Sequence, residues 1–173
     1  MSNDYQNVRL LALDVDGVLT DGSISYTDDG KEIKTFNAKD GQGIAMLTKL
    51  GIKVAIITAR TSPIVQKRAN DLGIQYVFQG VTNKLEKLEY LKTMLGITNE
   101  EIAYMGDDLP DIPILNIVGV KACPNDAVDE VKQICNFKSA KNGGRGAVRE
   151  LTDLIYYPAK IKLEKKPVEL PNF

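Results

Sequence analysis

The sequence predicts an α/β fold, a parallel sheet doubly wound by helices on both faces, in a Rossmann-like arrangement of three layers. Three observations predict it. Short apolar runs rich in branched residues alternate with segments of helical length. The first of these runs carries Val8, Leu10, Leu11, Ala12 and Leu13, as a strand buried on both faces requires. The first three helical segments each close on a glycine, as a C-cap does: Gly51, Gly73 and Gly96. Right-handed crossovers then gather the carboxyl ends of the strands on one edge, where ligands bind in such sheets.

The first strand ends in VRLLALDVDGVLT, from Val8 to Thr20, which delivers Asp14 and Asp16 just before Gly17. Residues two apart on an extended chain point the same way. Two neighbouring carboxylates need something positive between them, a magnesium ion or a shared proton. Asp21 to Phe36 holds two β-prone pieces around Asp28-Asp29-Gly30, a hairpin signal over about 22–36. Such a hairpin overhangs the acidic pair, meets another subunit, or is a surface excursion with no role. NAKDGQG, Asn37 to Gly43, reads as a turn before a helix from about Ile44 to Leu50. Strands follow at Lys53 to Thr58, Tyr76 to Phe78, Ile102 to Met105, Val118 to Lys121 and Ile134 to Phe137. Between them, Ser62-Pro63 opens one helix and Thr82 or Asn83 caps the next, which ends at Leu95. Short helices are expected from Pro110 to Ile117 and from Ala127 to Val131, and a longer one from about Ala147 to Tyr157 that Pro158 stops. The expectation is one domain over 1–157 and an extended or mobile tail over 158–173.

Basic and acidic side chains nearly cancel, at 22 against 23, so no basic face for nucleic acid is implied. No apolar run approaches the ~20 residues of a membrane helix. The N-terminus lacks the basic start and apolar centre of a signal peptide. Cys123 and Cys135 lack metal-ligand spacing and read as free thiols of a cytoplasmic protein. There is no histidine, which removes Ser-His-Asp and Cys-His nucleophile systems and His-ligated zinc. Catalysis must then rest on carboxylates, lysine, arginine, hydroxyls and a hard metal.

Asp14, Asp16, Thr58 and Asp107 all fall at strand ends, and Lys84 starts the helix after the third strand. DVDGVLT, Thr58, Lys84 and GDDLPD together resemble the four motifs of the haloacid dehalogenase superfamily, over about Val8 to Glu150. The resemblance implies Asp14 as the nucleophile that forms an aspartyl-phosphate, and Asp16 as general acid and then base. It implies Mg2+ held by the Asp14 side chain, the Asp16 backbone carbonyl and Asp107, with Thr58 and Lys84 on the phosphoryl oxygens. Asp108 is expected to orient Lys84, and Asp111 to hold metal-bound water. The cap domain that superfamily members usually carry has no room in this chain. Specificity must come from large substrates or neighbouring subunits.

NAKDGQGI, ITAR, FQGVTNKLEKL, YMGDDLPD and GGRGAVRE are further similar to the 3-deoxy-D-manno-octulosonate 8-phosphate phosphatases, over nearly the whole chain. That family implies a small phosphorylated sugar acid as substrate, on the lipopolysaccharide route, and a cytoplasmic homotetramer with packed hairpins. By the same resemblance Arg60 and Arg68 are substrate contacts and Asn37, Ala38, Lys39, Asp40 and Gly41 form a sugar-binding loop. Gly143 to Arg149 is a further candidate, with an ion pair as the other reading of Arg149. A relative acting on nine-carbon sugar acid 9-phosphates typically carries glutamate in place of Arg60 and Arg145, so arginine favours the eight-carbon substrate. Two other classes compete. A bacterial receiver domain uses similar groups, but its acceptor aspartate ends the third strand. A phosphatase-like module could also serve oligomerisation alone.

Overall fold

The structure is a computed structural model that describes residues 5–165. A 3₁₀ turn at Tyr5–Asn7 leads into β1 (Leu10–Leu13), followed by a hairpin of β2 (Ser25–Tyr26) and β3 (Glu32–Ile33). The chain then alternates through α1 (Ala38–Lys49), β4 (Lys53–Ile57), α2 (Pro63–Asp71), β5 (Tyr76–Phe78), α3 (Lys84–Leu95) and β6 (Ile102–Met105). A 3₁₀ turn at Leu109–Asp111 runs into α4 (Ile112–Leu115), and β7 (Val120–Cys123), α5 (Asp129–Ile134), β8 (Phe137–Lys138) and α6 (Ala147–Glu164) complete it.

Six strands form one parallel sheet, ordered β5-β4-β1-β6-β7-β8. β1 is central, with Leu13 beside Ile56 on one side and Met105 on the other. Its residues alternate between two cores: Leu11 and Leu13 pack with α1 and α6, Leu10 and Ala12 with α3 and α4. Among the described residues only the β2–β3 hairpin interrupts the alternation, so the expected three-layer fold without a cap domain is the one observed.

Two expectations need correction. The first concerns the stretch read as a turn before Ile44. Asn37 is an N-cap whose side chain accepts from Lys39 N at 2.8 Å and Asp40 N at 3.4 Å, so α1 begins at Ala38. Its glycines are packing sites: a Cβ at Gly43 would lie 2.0 Å from Thr152 Oγ1 on α6. The second concerns Pro158, which lies inside α6 rather than ending it. Proline removes the hydrogen bond to the Leu154 carbonyl, but Leu154 is solvent-exposed and water can serve that group. Ile155 and Ala159 stay buried against the core and carry the helix onward to Glu164. The rest of the expected tail, 166–173, lies outside the described residues.

β7 and β8 also begin two to three residues later than the apolar runs suggest. Gly119 is used in the turn before β7, where its N donates to Asn99 O at 2.8 Å and a Cβ would meet Glu100 O at 2.6 Å.

Candidate active site

Topology delivers the site. Asp14 directly follows β1, Thr58 directly follows β4, Asp107 lies two residues past β6, and Lys84 opens α3 behind the cap of Asn83. With Asp16, Arg60, Asp108 and Pro110 they line a cavity of about 260 Å³ at the carboxyl edge of the sheet.

Lys84 is buried and donates to Asp14 Oδ2 at 2.6 Å and to Asp111 Oδ1 at 2.7 Å. Asp111 is the hub behind it. Its Oδ1 also accepts from the Tyr104 hydroxyl at 2.6 Å, and its Oδ2 accepts from Asp107 N at 3.0 Å and Asp108 N at 3.3 Å. A buried carboxylate held by four donors is a fixed part of the scaffold. Asp111 therefore orients Lys84. Asp108, expected in that place, instead accepts from Leu109 N at 2.7 Å and caps the 3₁₀ turn.

One carboxylate oxygen from each of Asp14, Asp107 and Asp111 lies within 4.8 Å of the others. The crowding shows in the protonation of Asp14 and Asp107. Burial first, then the charge of Asp111, pushes Asp14 up to about 6. Burial first, then Asp14 and Asp111, pushes Asp107 up to about 8. Burial pulls the Lys84 ammonium down, but Asp14 and Asp111 together outweigh that and raise it. An all-oxygen donor set with excess negative charge fits a hard divalent cation.

Gly17 makes this closeness attainable. Its φ is 82°, and a Cβ there would lie 2.0 Å from Asp107 Oδ2. Gly143 packs from the other side, where a Cβ would meet Gly17 O at 1.9 Å. Gly17→Ala is expected to push Asp107 out of the acidic group and to add roughly 1–2 kcal/mol of backbone strain. A titration of melting temperature with Mg2+ checks this: the midpoint should move at least about tenfold higher than in the unsubstituted protein.

The expected substrate residues divide. Arg60 lines the cavity; its Nε faces Asp16 Oδ2 at 3.6 Å and its Nη2 donates to Glu32 Oε1 at 2.9 Å. Asn37, Ala38, Lys39, Asp40, Gly41 and Arg68 do not line it within one chain. Asp40 is buried, and its carboxylate accepts from Gly146 N at 3.3 Å and Arg149 N at 2.8 Å, which caps α6. Burial raises its proton affinity against those two donors. Arg68 donates to Asn37 O at 3.3 Å and sits 5.6 Å from the centre of the Phe36 ring. A Cβ at Gly41 would lie 2.4 Å from Arg68 Nη2, so this arginine fills space under the start of α1. Arg149 pairs with Asp153 at 2.8 Å and Arg145 with Asp21 at 3.0 Å.

Three site residues escaped sequence reasoning: Tyr104, Glu32 and Lys34. Tyr104 is indistinguishable from core in an apolar strand, and only its buried hydroxyl on Asp111 sets it apart. Glu32 lies on β3 and Lys34 directly follows that strand, two residues on. That spacing turns both to one face, and Lys34 reaches Asp16 while its side chain is only 2% exposed. The hairpin thus reaches the acidic pair directly.

Comparison with known proteins agrees with this geometry. Residues 76–151 match the model of the haloacid dehalogenase-like hydrolases. The 3-deoxy-D-manno-octulosonate 8-phosphate phosphatase of Escherichia coli K12 is 44% identical over 150 residues, which cover 87% of this chain and 80% of that protein. A crystal structure of the phosphatase of the same name from Yersinia pestis superposes with a TM-score of 0.88 at 42% identity, over 93% of this chain and 86% of that one. That from Moraxella catarrhalis, in complex with a magnesium ion, a phosphate ion and 3-deoxy-D-manno-octulosonate (KDO), gives 0.87 at 37% identity, over 92% and 94%. The chain belongs to the haloacid dehalogenase-like hydrolases, within the family of the 3-deoxy-D-manno-octulosonate 8-phosphate phosphatases.

Proposed function

We propose that this protein hydrolyses 3-deoxy-D-manno-octulosonate 8-phosphate to the free sugar acid and inorganic phosphate, in the cytoplasmic stage of lipopolysaccharide precursor synthesis. The observation that carries the reading is the pairing of Asp14 Oδ2 with Lys84 at 2.6 Å while Asp16 faces the same cavity. Asp14 supplies the nucleophilic oxygen, and its other oxygen, Oδ1, accepts from Val15 N at 2.7 Å and is held in place. Attack on phosphorus forms an aspartyl-phosphate as the ester bond breaks, and Asp16 gives its proton to the leaving sugar oxygen. Asp16, now a carboxylate, takes a proton from the water that attacks the same phosphorus, which releases phosphate and restores Asp14. Lys84 and the Thr58 hydroxyl face the phosphoryl oxygens, where charge builds up. Asp14, the Asp16 carbonyl and Asp107 would hold Mg2+, with Asp111 behind them. The ion would offset the repulsion between a negative nucleophile and a negative phosphate.

Sheet order argues against the receiver reading. With the hairpin and β8 set aside, the strands counted in chain order lie 3-2-1-4-5. Receiver domains have the order 2-1-3-4-5.

A homotetramer is part of this proposal. Ile24, Tyr26 and Ile33 are 54%, 60% and 47% exposed on a two-stranded hairpin that stands apart from the main sheet. Ile33→Asp is expected to lower the mass measured by light scattering to that of smaller species.

Substrate choice is tested by Mg2+-dependent phosphate release from the eight-carbon 8-phosphate and a nine-carbon sugar acid 9-phosphate in parallel. Preference for the first is expected, and Arg60→Glu should weaken it mainly through KM, by about tenfold or more, since Arg60 would lose a charge-assisted contact to the carboxylate. Preference for the second would overturn the substrate assignment and leave the chemistry standing.

A further inference from the structure

Lysine side chains are almost never withdrawn from water unless paired, and the Lys34 side chain is only 2% exposed beside the proposed proton-transfer group. Its ammonium bonds Asp16 Oδ1 and lies 3.3 Å from Glu32 Oε1. Glu32 Oε1 also accepts from Arg60 at 2.9 Å, and Arg60 Nε stands 3.6 Å from Asp16 Oδ2. Two carboxylates and two cations thus close a ring between the hairpin and the catalytic edge. Within that ring the two oxygens of Asp16 differ. Oδ1 is bound by Lys34. Oδ2 has its nearest cation beyond ordinary hydrogen-bond distance, on a side chain that is 42% exposed and can shift. Lys34 itself does not line the cavity; it meets the cavity through Asp16 directly and through Glu32 and Arg60 at one further remove.

We infer that Lys34 is a positioning residue that fixes the carboxyl plane of Asp16 and assigns proton transfer to Oδ2. The inference rests on the reading of Asp16 as general acid and base. The same contact serves both half-reactions. In the acid form Oδ1 is the carbonyl oxygen, which still accepts from the ammonium, while Oδ2–H donates to the leaving oxygen. When the ester bond breaks, the proton moves from Oδ2 to the sugar hydroxyl. In the second step Oδ2 takes one proton from the attacking water, and Oδ1 never leaves Lys34. A carboxyl group freed from this contact turns about its terminal torsion, which is broad and roughly two-fold. It then presents the wrong oxygen or the wrong angle for part of the time. Glu32 keeps the buried ammonium partnered on its other side and shares that charge with Arg60.

The test compares leaving groups in the full-length protein. Lys34→Met and Lys34→Arg are assayed with the sugar acid 8-phosphate, whose alkoxide needs a proton to leave, and with p-nitrophenyl phosphate, whose phenolate does not. kcat/KM is read because it reports the steps through departure of the leaving group. Lys34→Met is expected to lower kcat/KM for the sugar phosphate about tenfold or more relative to the aryl ester, with KM within twofold, and Lys34→Arg should restore part of the difference. The ratio between esters is independent of the fraction of protein folded, so a loss of stability alone does not produce it. Equal losses on both esters, or a change confined to KM, would make Lys34 an anchor of the hairpin and overturn the inference. If the unsubstituted protein released phosphate from neither ester, the phosphatase reading itself would fall, and this inference with it.

Discussion

Asp14→Asn is expected to abolish phosphate release while leaving the protein as stable as before, or more so. The activity loss should be on the order of 10⁴-fold or greater, because a removed nucleophile leaves only binding and electrostatic contributions behind. Stability behaves differently because Asp14 is charged at some expense. Burial and Asp111 push its carboxyl up to about 6, so at neutral pH the folded chain holds a carboxylate that the fold disfavours. The amide keeps the shape, removes that repulsion, and leaves Lys84 paired with Asp111 at 2.7 Å. Turnover together with a thermal melt in EDTA checks both halves. A variant that lost activity only because it unfolded would show a lower melting temperature.

The second large effect is the dependence of stability on pH and its reversal by Mg2+. Asp14 and Asp107 bind protons more tightly when folded, at about 6 and about 8 against 3.8 for an unperturbed aspartate. Their contribution to stability is therefore fully present below about 4 and is lost as pH rises through 6 and then 8. Asp40 is shifted the same way by burial but lies away from the acidic group, so its share is not recovered by a cation. In EDTA the melting temperature should fall between pH 5 and pH 8. Mg2+ competes with protons for the same oxygens, so saturating ion should raise it at pH 8 and scarcely at pH 5. At 100 times the dissociation constant the gain is about 2.7 kcal/mol, or roughly 5–10 °C for a chain of this size. An equal rise at both pH values would mean that the ion binds elsewhere.

These effects trace to residues that differed in how openly the sequence displayed them. Asp14, Thr58, Lys84 and Asp107 were legible because a parallel sheet forces strand ends to one edge, and each follows a clear apolar run or a helix cap. What the sequence concealed was whether a polar group is shared or free. Asp40 follows the helix cap Asn37 in a polar run that resembles a loop, yet its carboxylate is spent on α6, more than a hundred residues away. Gly41 and Gly43 look like turn signals, but they are gaps into which Arg68 and Thr152 fit. Asp108 and Asp111 are both plausible partners for Lys84 by spacing. Only the turn at Leu109–Asp111 decides between them, folding Asp111 back under its own backbone. Pro158 reads as a stop because local propensity says so. The buried face of α6 overrides it, and that depends on α1 and the first turn of the chain. Lys34 could have been found by asking which cation a hairpin with alternating charges could offer the acidic pair.

The central claim is that phosphate passes through a covalent bond to Asp14. The direct measurement is to mix the protein with the sugar acid 8-phosphate and Mg2+, quench within a turnover, and map the modified peptide by mass spectrometry. The expected result is one phosphoryl group on the peptide containing Asp14, labile to hydroxylamine and absent from Asp14→Asn. Rapid turnover with that peptide unmodified at every quench time, and with phosphate released in a single step, would contradict the account.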